Sequence, residues 1–182
     1  MLAHRLDGDS ELRLLQTHQA EALYALADRN RAHLREWLSW VDNAQDASFL
    51  RNFIRGRLEA LARGQGFNLS VWHKGQVAGL VGLYDINGFK AEVGYWLGRE
   101  FGGLGLMTRS VEALLGYAFG ELELRRVQIK AHVDNGRSRA IPERLGFRLE
   151  GVLVSDDQLH GKPCDNALYA LARQQWLELR RS

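Results

Sequence analysis

Val93-Gly94-Tyr95-Trp96-Leu97-Gly98-Arg99-Glu100-Phe101-Gly102-Gly103-Leu104-Gly105-Leu106-Met107-Thr108-Arg109 changes its periodicity part-way along. It begins as an apolar strand, passes through a cluster of glycines and opens a helical pattern. In that pattern Val111, Leu114, Leu115 and Ala118 share one face. A helix that starts directly from a glycine loop leaves its first N–H groups unpaired. Those donors and the positive end of the helix dipole attract phosphate oxygens. Gly103 and Gly105 let the main chain approach a ligand where a Cβ would hold it off. The alternative is a plain turn. The dinucleotide fingerprint fails because Thr108 stands where a third glycine is needed, and the P-loop fails because the loop has no Lys. What remains is a pyrophosphate cradle of another kind.

Upstream, Glu11 to Leu15 reads as a short strand. Thr17 to Ala27 reads as a helix with Thr17 as its N-cap, and Arg31 to Trp40 as a second helical piece. Asp46 opens a third helix whose buried stripe is Phe49, Leu50, Phe53, Ile54, Leu58 and Leu61, and which Gly64 and Gly66 end. Three strands follow as a meander: Phe67 to Val71, Gln76 to Asp85 and Ala91 to Leu97, with turns at Lys74-Gly75 and Asn87-Gly88. After the glycine-loop helix, which runs to about Glu121, Arg126 to His132 is another strand. A short helix from Ser138 to Leu145 comes next, stopped by Gly146. Phe147 to Leu153 and Ala167 to Ala172 close the pattern as strands. The class is α/β with a mixed, mostly antiparallel central sheet and helices on both faces. The strand–helix–strand crossover from about Ala91 to His132 favours one parallel pair.

The 182 residues read as one domain, 1–182, with 46% hydrophobic and 25% charged residues, a composition that argues against disorder. A net charge of +2, with 20 Arg and 4 Lys scattered and no basic tail, argues against a dedicated nucleic-acid binder. Cys164 is the single cysteine, so no internal disulfide or cysteine-based metal cluster is expected, and a structural role is assigned to it. Met1 to Ser10 is polar rather than a signal sequence, and no run approaches a membrane span. A cytoplasmic location without membrane partners is the expectation. His33 and His73 have no metal-ligand spacing and read as surface or core histidines.

Three further local sequences matter. Asn135-Gly136-Arg137-Ser138 is followed by Glu143-Arg144-Leu145-Gly146-Phe147. Gly94-Tyr95-Trp96-Leu97 is matched upstream by Trp37-Leu38-Ser39-Trp40. Together with the glycine loop and the element order, these resemble the GCN5-related N-acetyltransferases (GNAT) over nearly the whole chain. Gly102 to Met107 occupies the place of that family's acetyl-CoA pyrophosphate loop, Gln/Arg-x-x-Gly-x-Gly/Ala. Gly102 and Met107 depart from the pattern at its two ends. The tryptophan-bearing segments are similar to the RimJ/RimL branch, which acetylates N-terminal amines of ribosomal proteins.

The resemblance implies acetyl-CoA as co-substrate, no metal, and direct transfer to a primary amine. It assigns the pyrophosphate to the amides of Gly103, Leu104, Gly105, Leu106, Met107 and Thr108. It assigns the pantetheine arm to Gly94, Tyr95, Trp96 and Leu97, with Gly94 or Tyr95 offering an N–H to the thioester oxygen. Asn135 would pair with the same arm, with a turn-forming role as the alternative, and Arg144 would reach a CoA phosphate. Ser138, an N-cap in the plain reading, would give a proton to the leaving thiolate. Asp157 is the implied base, with Glu92 or a water chain as alternatives. Tyr169 reads as a core residue. Trp37 and Trp40, three apart on an expected helix, would wall the acceptor groove. The acceptor is expected to be a protein N-terminal amine. A small amine such as a polyamine, antibiotic or amino acid derivative, or a CoA-binding protein without catalysis, are the alternatives. The branch also implies a homodimer.

Overall fold

The computed structural model describes residues 3–181; Met1, Leu2 and Ser182 at the ends of the expected domain lie outside the described residues. Eight strands form one sheet: β1 (Ala3–Arg5), β2 (Ser10–Leu14), β3 (Phe67–His73), β4 (Gln76–Tyr84), β5 (Lys90–Leu97), β6 (Arg126–His132), β7 (Arg148–Leu159) and β8 (Lys162–Ala172). Their spatial order is β1-β2-β3-β4-β5-β6-β8-β7, and every pair is antiparallel except β5–β6. The helices are α1 (Ala20–Arg29), α2 (Arg31–Leu34), α3 (Ala47–Ala62), α4 (Leu106–Gly120), α5 (Gly136–Arg144) and α6 (Arg173–Leu179). The expected mixed sheet, with one parallel crossover carried by α4, is what the chain forms.

Burial explains the layering. β4 is buried on both faces from Val77 to Leu83, because α1 covers one side, with α3 beside it over β3, and α4 covers the other. Val111, Leu114, Leu115 and Ala118 of α4 all point into the core, as their spacing requires. Each large apolar side chain so buried contributes about 2 kcal/mol. An isolated helix of this length is marginal in water, so packing holds α4 in place. Asp46 caps α3 as expected, its Oδ1 accepting from Ser48 N at 2.7 Å.

Several expectations are corrected. The α3 stripe is narrower than read: Leu50 and Ile54 are buried, whereas Phe53 and Leu61 are exposed. Thr17 opens a 3-10 turn that precedes α1 and caps no helix. The piece from Arg31 to Trp40 is not one helix. α2 stops at Leu34, and a separate 3-10 turn spans Ser39–Asp42. The Arg31 guanidinium causes this, donating to the carbonyls of Val41 and Ala44 and folding that segment back onto α2. β7 and β8 form a far longer hairpin than the apolar pattern implied, because their outer halves are polar. β1 and α6 carry no readable signal: β1 is exposed throughout, and α6 buries no residue fully.

Candidate active site

β5 and β6 hydrogen-bond as parallel neighbours only over Lys90↔Arg126, Ala91↔Val127 and Glu92↔Gln128. β5 nevertheless continues to Leu97 against β4, and β6 to His132 against β8. Past Glu92 the two strands therefore part. The inner edges of Val93–Leu97 and of 129–132 face a wedge instead of each other. An extended chain carrying amides fits such an opening as a substitute strand.

The glycine loop lies beyond the end of β5. Gly98 N donates to Ala78 O at 2.8 Å, and Arg99 N to the buried Asn30 Oδ1 at 2.9 Å, so the strand end is tied to β4 and α1. Gly103 and Gly105 have φ of 79° and 69°, the left-handed region where glycine alone is unstrained. Leu106 and Met107 bury their side chains, and no side chain caps α4. Among the described residues, the amides of Gly103 to Thr108 meet no protein acceptor. Arg109 braces the loop from behind, its Nη1 donating to Leu104 O at 3.0 Å and its Nη2 to Asp7 Oδ2 at 2.7 Å.

On the α5 side of the wedge, Asn135 caps the helix and accepts from Ser138 N at 3.1 Å. Ser138 is the third residue of α5, so the N-cap reading moves from Ser138 to Asn135. The Tyr95 Oη donates to Ser138 O at 2.8 Å, and Ser138 Oγ donates to Tyr95 Oη at 3.3 Å. Burial pushes the Tyr95 phenol far above its ordinary pKa, so it stays protonated. Tyr169 is a core residue as read, donating to Glu143 Oε1 at 2.6 Å and accepting from Arg139 Nε at 2.9 Å. Arg144 is exposed at the last residue of α5, about 9 Å along the axis from Ser138.

The other side of the wedge is polar. Glu92 Oε2 accepts from Gln128 Nε2 at 3.0 Å and lies 3.8 Å from Lys130 Nζ. Lys130 Nζ also reaches Asp156 Oδ2 at 3.2 Å, which accepts from Asn166 Nδ2 at 3.0 Å. Hydrogen bonds from Asn166 and from Lys130 hold the Asp156 carboxyl below its usual range against some desolvation. Asp157 lies within β7, not before it, opposite Cys164, and is exposed, accepting from Gln158 N at 2.7 Å. Burial and the nearby Asp157, Asp165 and Asp156 raise the Cys164 thiol, which leaves it a poor nucleophile.

Trp37 and Trp40 do not share a helix. Trp40 is packed between Phe49 and Trp96, with ring centroids 6.3 and 5.8 Å away. Trp37 stands over His132 at 5.2 Å. The β7–β8 turn closes this end, where His160 Nδ1 is 3.2 Å from Asp42 Oδ2 and its Nε2 is 2.5 Å from Arg35 O. Lys130, His132, Asp156 and Asn166 escape sequence reasoning because three different strands supply them. The one hint was Lys130, a rare lysine on the polar face of β6.

A protein-family model for an acetyltransferase (GNAT) domain matches residues 10–148. The chain belongs to the GNAT family of acetyltransferases. It is an acetyl-CoA-dependent N-acetyltransferase. Over 179 residues, 97% of this chain and 98% of the relative, it is 36% identical to YdaF of Bacillus subtilis (strain 168), which carries the provisional name of a ribosomal N-acetyltransferase. It is 30% identical over 162 residues to the ribosomal-protein-serine acetyltransferase of Escherichia coli (strain K12), covering 88% of this chain and 90% of that one. Among solved structures, the RimL ribosomal L7/L12 α-N-protein acetyltransferase in complex with coenzyme A superposes with a TM-score of 0.90. That match has 28% identity and covers 95% of this chain and 99% of the other. No helix among the described residues is long and apolar enough to cross a membrane.

Proposed function

We propose that this acetyltransferase acts on the N-terminal α-amine of a protein, of the kind its ribosomal-protein-acetylating relatives modify. The observation that carries the reading is the wedge between β5 and β6. It runs from the unpartnered amides of Gly103 to Thr108 to a polar floor at Glu92, Lys130 and Asp156. The residues fit acetyl-CoA: the amides suit a pyrophosphate, and the free edge of Val93–Leu97 suits the pantetheine arm. Tyr95 offers an N–H toward the thioester oxygen, where negative charge develops, whereas the register that bonds Gly98 N to Ala78 O turns the Gly94 N–H to β4.

Ser138, at the wedge on the α5 side, supplies the proton to the departing thiolate. Asn135 positions it through the Ser138 amide, and its own Nδ2 is left to meet the pantetheine. Asp157 takes the proton of the attacking amine. Glu92 is the alternative base, but Gln128 and Lys130 already occupy it, whereas Asp157 accepts from its neighbour Gln158. Trp37, beside His132, lines the acceptor approach, while Trp40 supports Trp96 from the core.

The test is thiol release from acetyl-CoA with Ser- and Ala-starting peptides, polyamines and aminoglycosides offered in parallel. Release with the peptides is expected. Turnover confined to small amines, or coenzyme A binding without turnover on any acceptor, overturns the reading.

A further inference from the structure

Lys130 lies two residues past the last β5–β6 pair, at the closed end of the wedge that its polar floor occupies. On β6 the residues Val127, Ile129 and Ala131 are buried, while Gln128, Lys130 and His132 face the opposite way. That face holds His132 against Trp37 and, on β5, Trp96 against Trp40, so it is the side from which an acceptor arrives. There the Lys130 ammonium spans strands that the sheet leaves unbonded, meeting Glu92 on β5 and Asp156 on β7. A lysine has no catalytic need for two carboxylates, and a groove for a polycation has no need of a lysine.

We infer that Lys130 is the specificity-determining residue of the acceptor groove, holding Glu92 and Asp156 so that a monocationic α-amine is accepted and a polyamine is rejected. The inference rests on the protein N-terminal reading and deepens it. Two effects act in the same direction. Lys130 occupies Glu92 and Asp156 and offsets one of their two negative charges, so a second ammonium meets a weaker anionic site with a like charge already in it. The same positive charge disfavours the protonated form of any bound amine. An α-amine, with its low intrinsic pKa, needs only a small push to become the neutral nucleophile, whereas an alkylamine needs a large one.

The groups facing Lys130 are Glu92 from β5, Asp156 and Asp157 from β7, Asn166 from β8, and Gln128 and His132 of its own strand. Burial pulls the Lys130 ammonium down, and Glu92, Asp156 and Asp157 more than offset it, so Lys130 stays charged at working pH.

The test compares wild type, Lys130→Met and Lys130→Arg with a Ser-starting peptide and with spermidine, and measures spermidine binding by calorimetry without acetyl-CoA. In Lys130→Met the peptide-to-spermidine ratio of kcat/KM should fall about tenfold or more. Spermidine should bind more tightly, and the rising limb of kcat against pH for the peptide should move to higher pH. Lys130→Arg should keep the wild-type pattern. If Lys130→Met folds, shown by an intact thermal transition, and neither the ratio nor spermidine binding changes, the inference is overturned. If it does not fold, the comparison passes to Lys130→Gln with the same readouts. A wild type inert toward peptides sinks the N-terminal reading instead, a distinct result.

Discussion

The Tyr95 phenol donates to the main-chain carbonyl of Ser138 at 2.8 Å, the carbonyl that Pro142, lacking an N–H, cannot satisfy within α5. A helix defect is thus filled by a side chain from β5, and the start of α5 is fixed to the strand that lines the wedge. Tyr95→Phe orphans that carbonyl and should cost about 1–3 kcal/mol in denaturant unfolding. An unchanged unfolding midpoint would mean that the contact holds nothing in place.

Ser138→Ala separates chemistry from positioning. The backbone bond from Tyr95 survives, and only the hydroxyl is lost. Turnover should drop roughly 100-fold while acetyl-CoA affinity stays near wild type. Equilibrium binding beside steady-state rates checks this, and full turnover in the variant would remove Ser138 from the reaction.

Gly105→Ala probes the phosphate cradle. At φ 69° an added Cβ is strained and would stand 2.8 Å from Arg109 Nη1. Acetyl-CoA affinity should weaken, with about 1–2 kcal/mol of stability lost. Gly116→Ala, inside α4 with open space around its Cβ, should stabilise by about 0.5–1 kcal/mol and leave affinity alone. Equal affinity losses in the two variants would divorce the loop from the cofactor.

Asp157→Asn and Glu92→Gln, measured side by side, decide the base. The kcat/KM profile should lose its acid limb in Asp157→Asn and keep it in Glu92→Gln. The reverse outcome moves the role to Glu92.

Asp156 gives a pH signature in stability. Its carboxyl pKa is lowered in the folded state, so its contribution is present above the unfolded value and fades as pH falls through the folded one. Asp156→Asn should therefore unfold more easily than wild type near neutrality, with the gap shrinking as pH falls through the folded-state value. A gap of constant size across that range would assign the effect to shape rather than charge.

What was legible in the chain was what is contiguous. The apolar stripe of α4 and the two glycines before it decide a helix start from seventeen successive residues, and nothing distant alters them. The expected helix through Trp37 and Trp40 failed because the deciding interaction, Arg31 with the carbonyls of Val41 and Ala44, belongs to no periodicity. The polar floor was illegible for a related reason: Glu92, Lys130, Asp156 and Asn166 become neighbours only through sheet register. Local pattern reading also placed the N-cap at Ser138, because the helix begins two residues earlier than its polar first turn implied.

With just three residue pairs joining β1–β5 to β6–β8, the sheet carries a seam down its middle. Under the proposed reading, an acyl donor that hydrogen-bonded to both lips would stitch the halves and double as mortar for the fold. Slowed amide exchange along both lips, far from any side chain that touches the donor's reactive end, is the fingerprint that such stitching leaves.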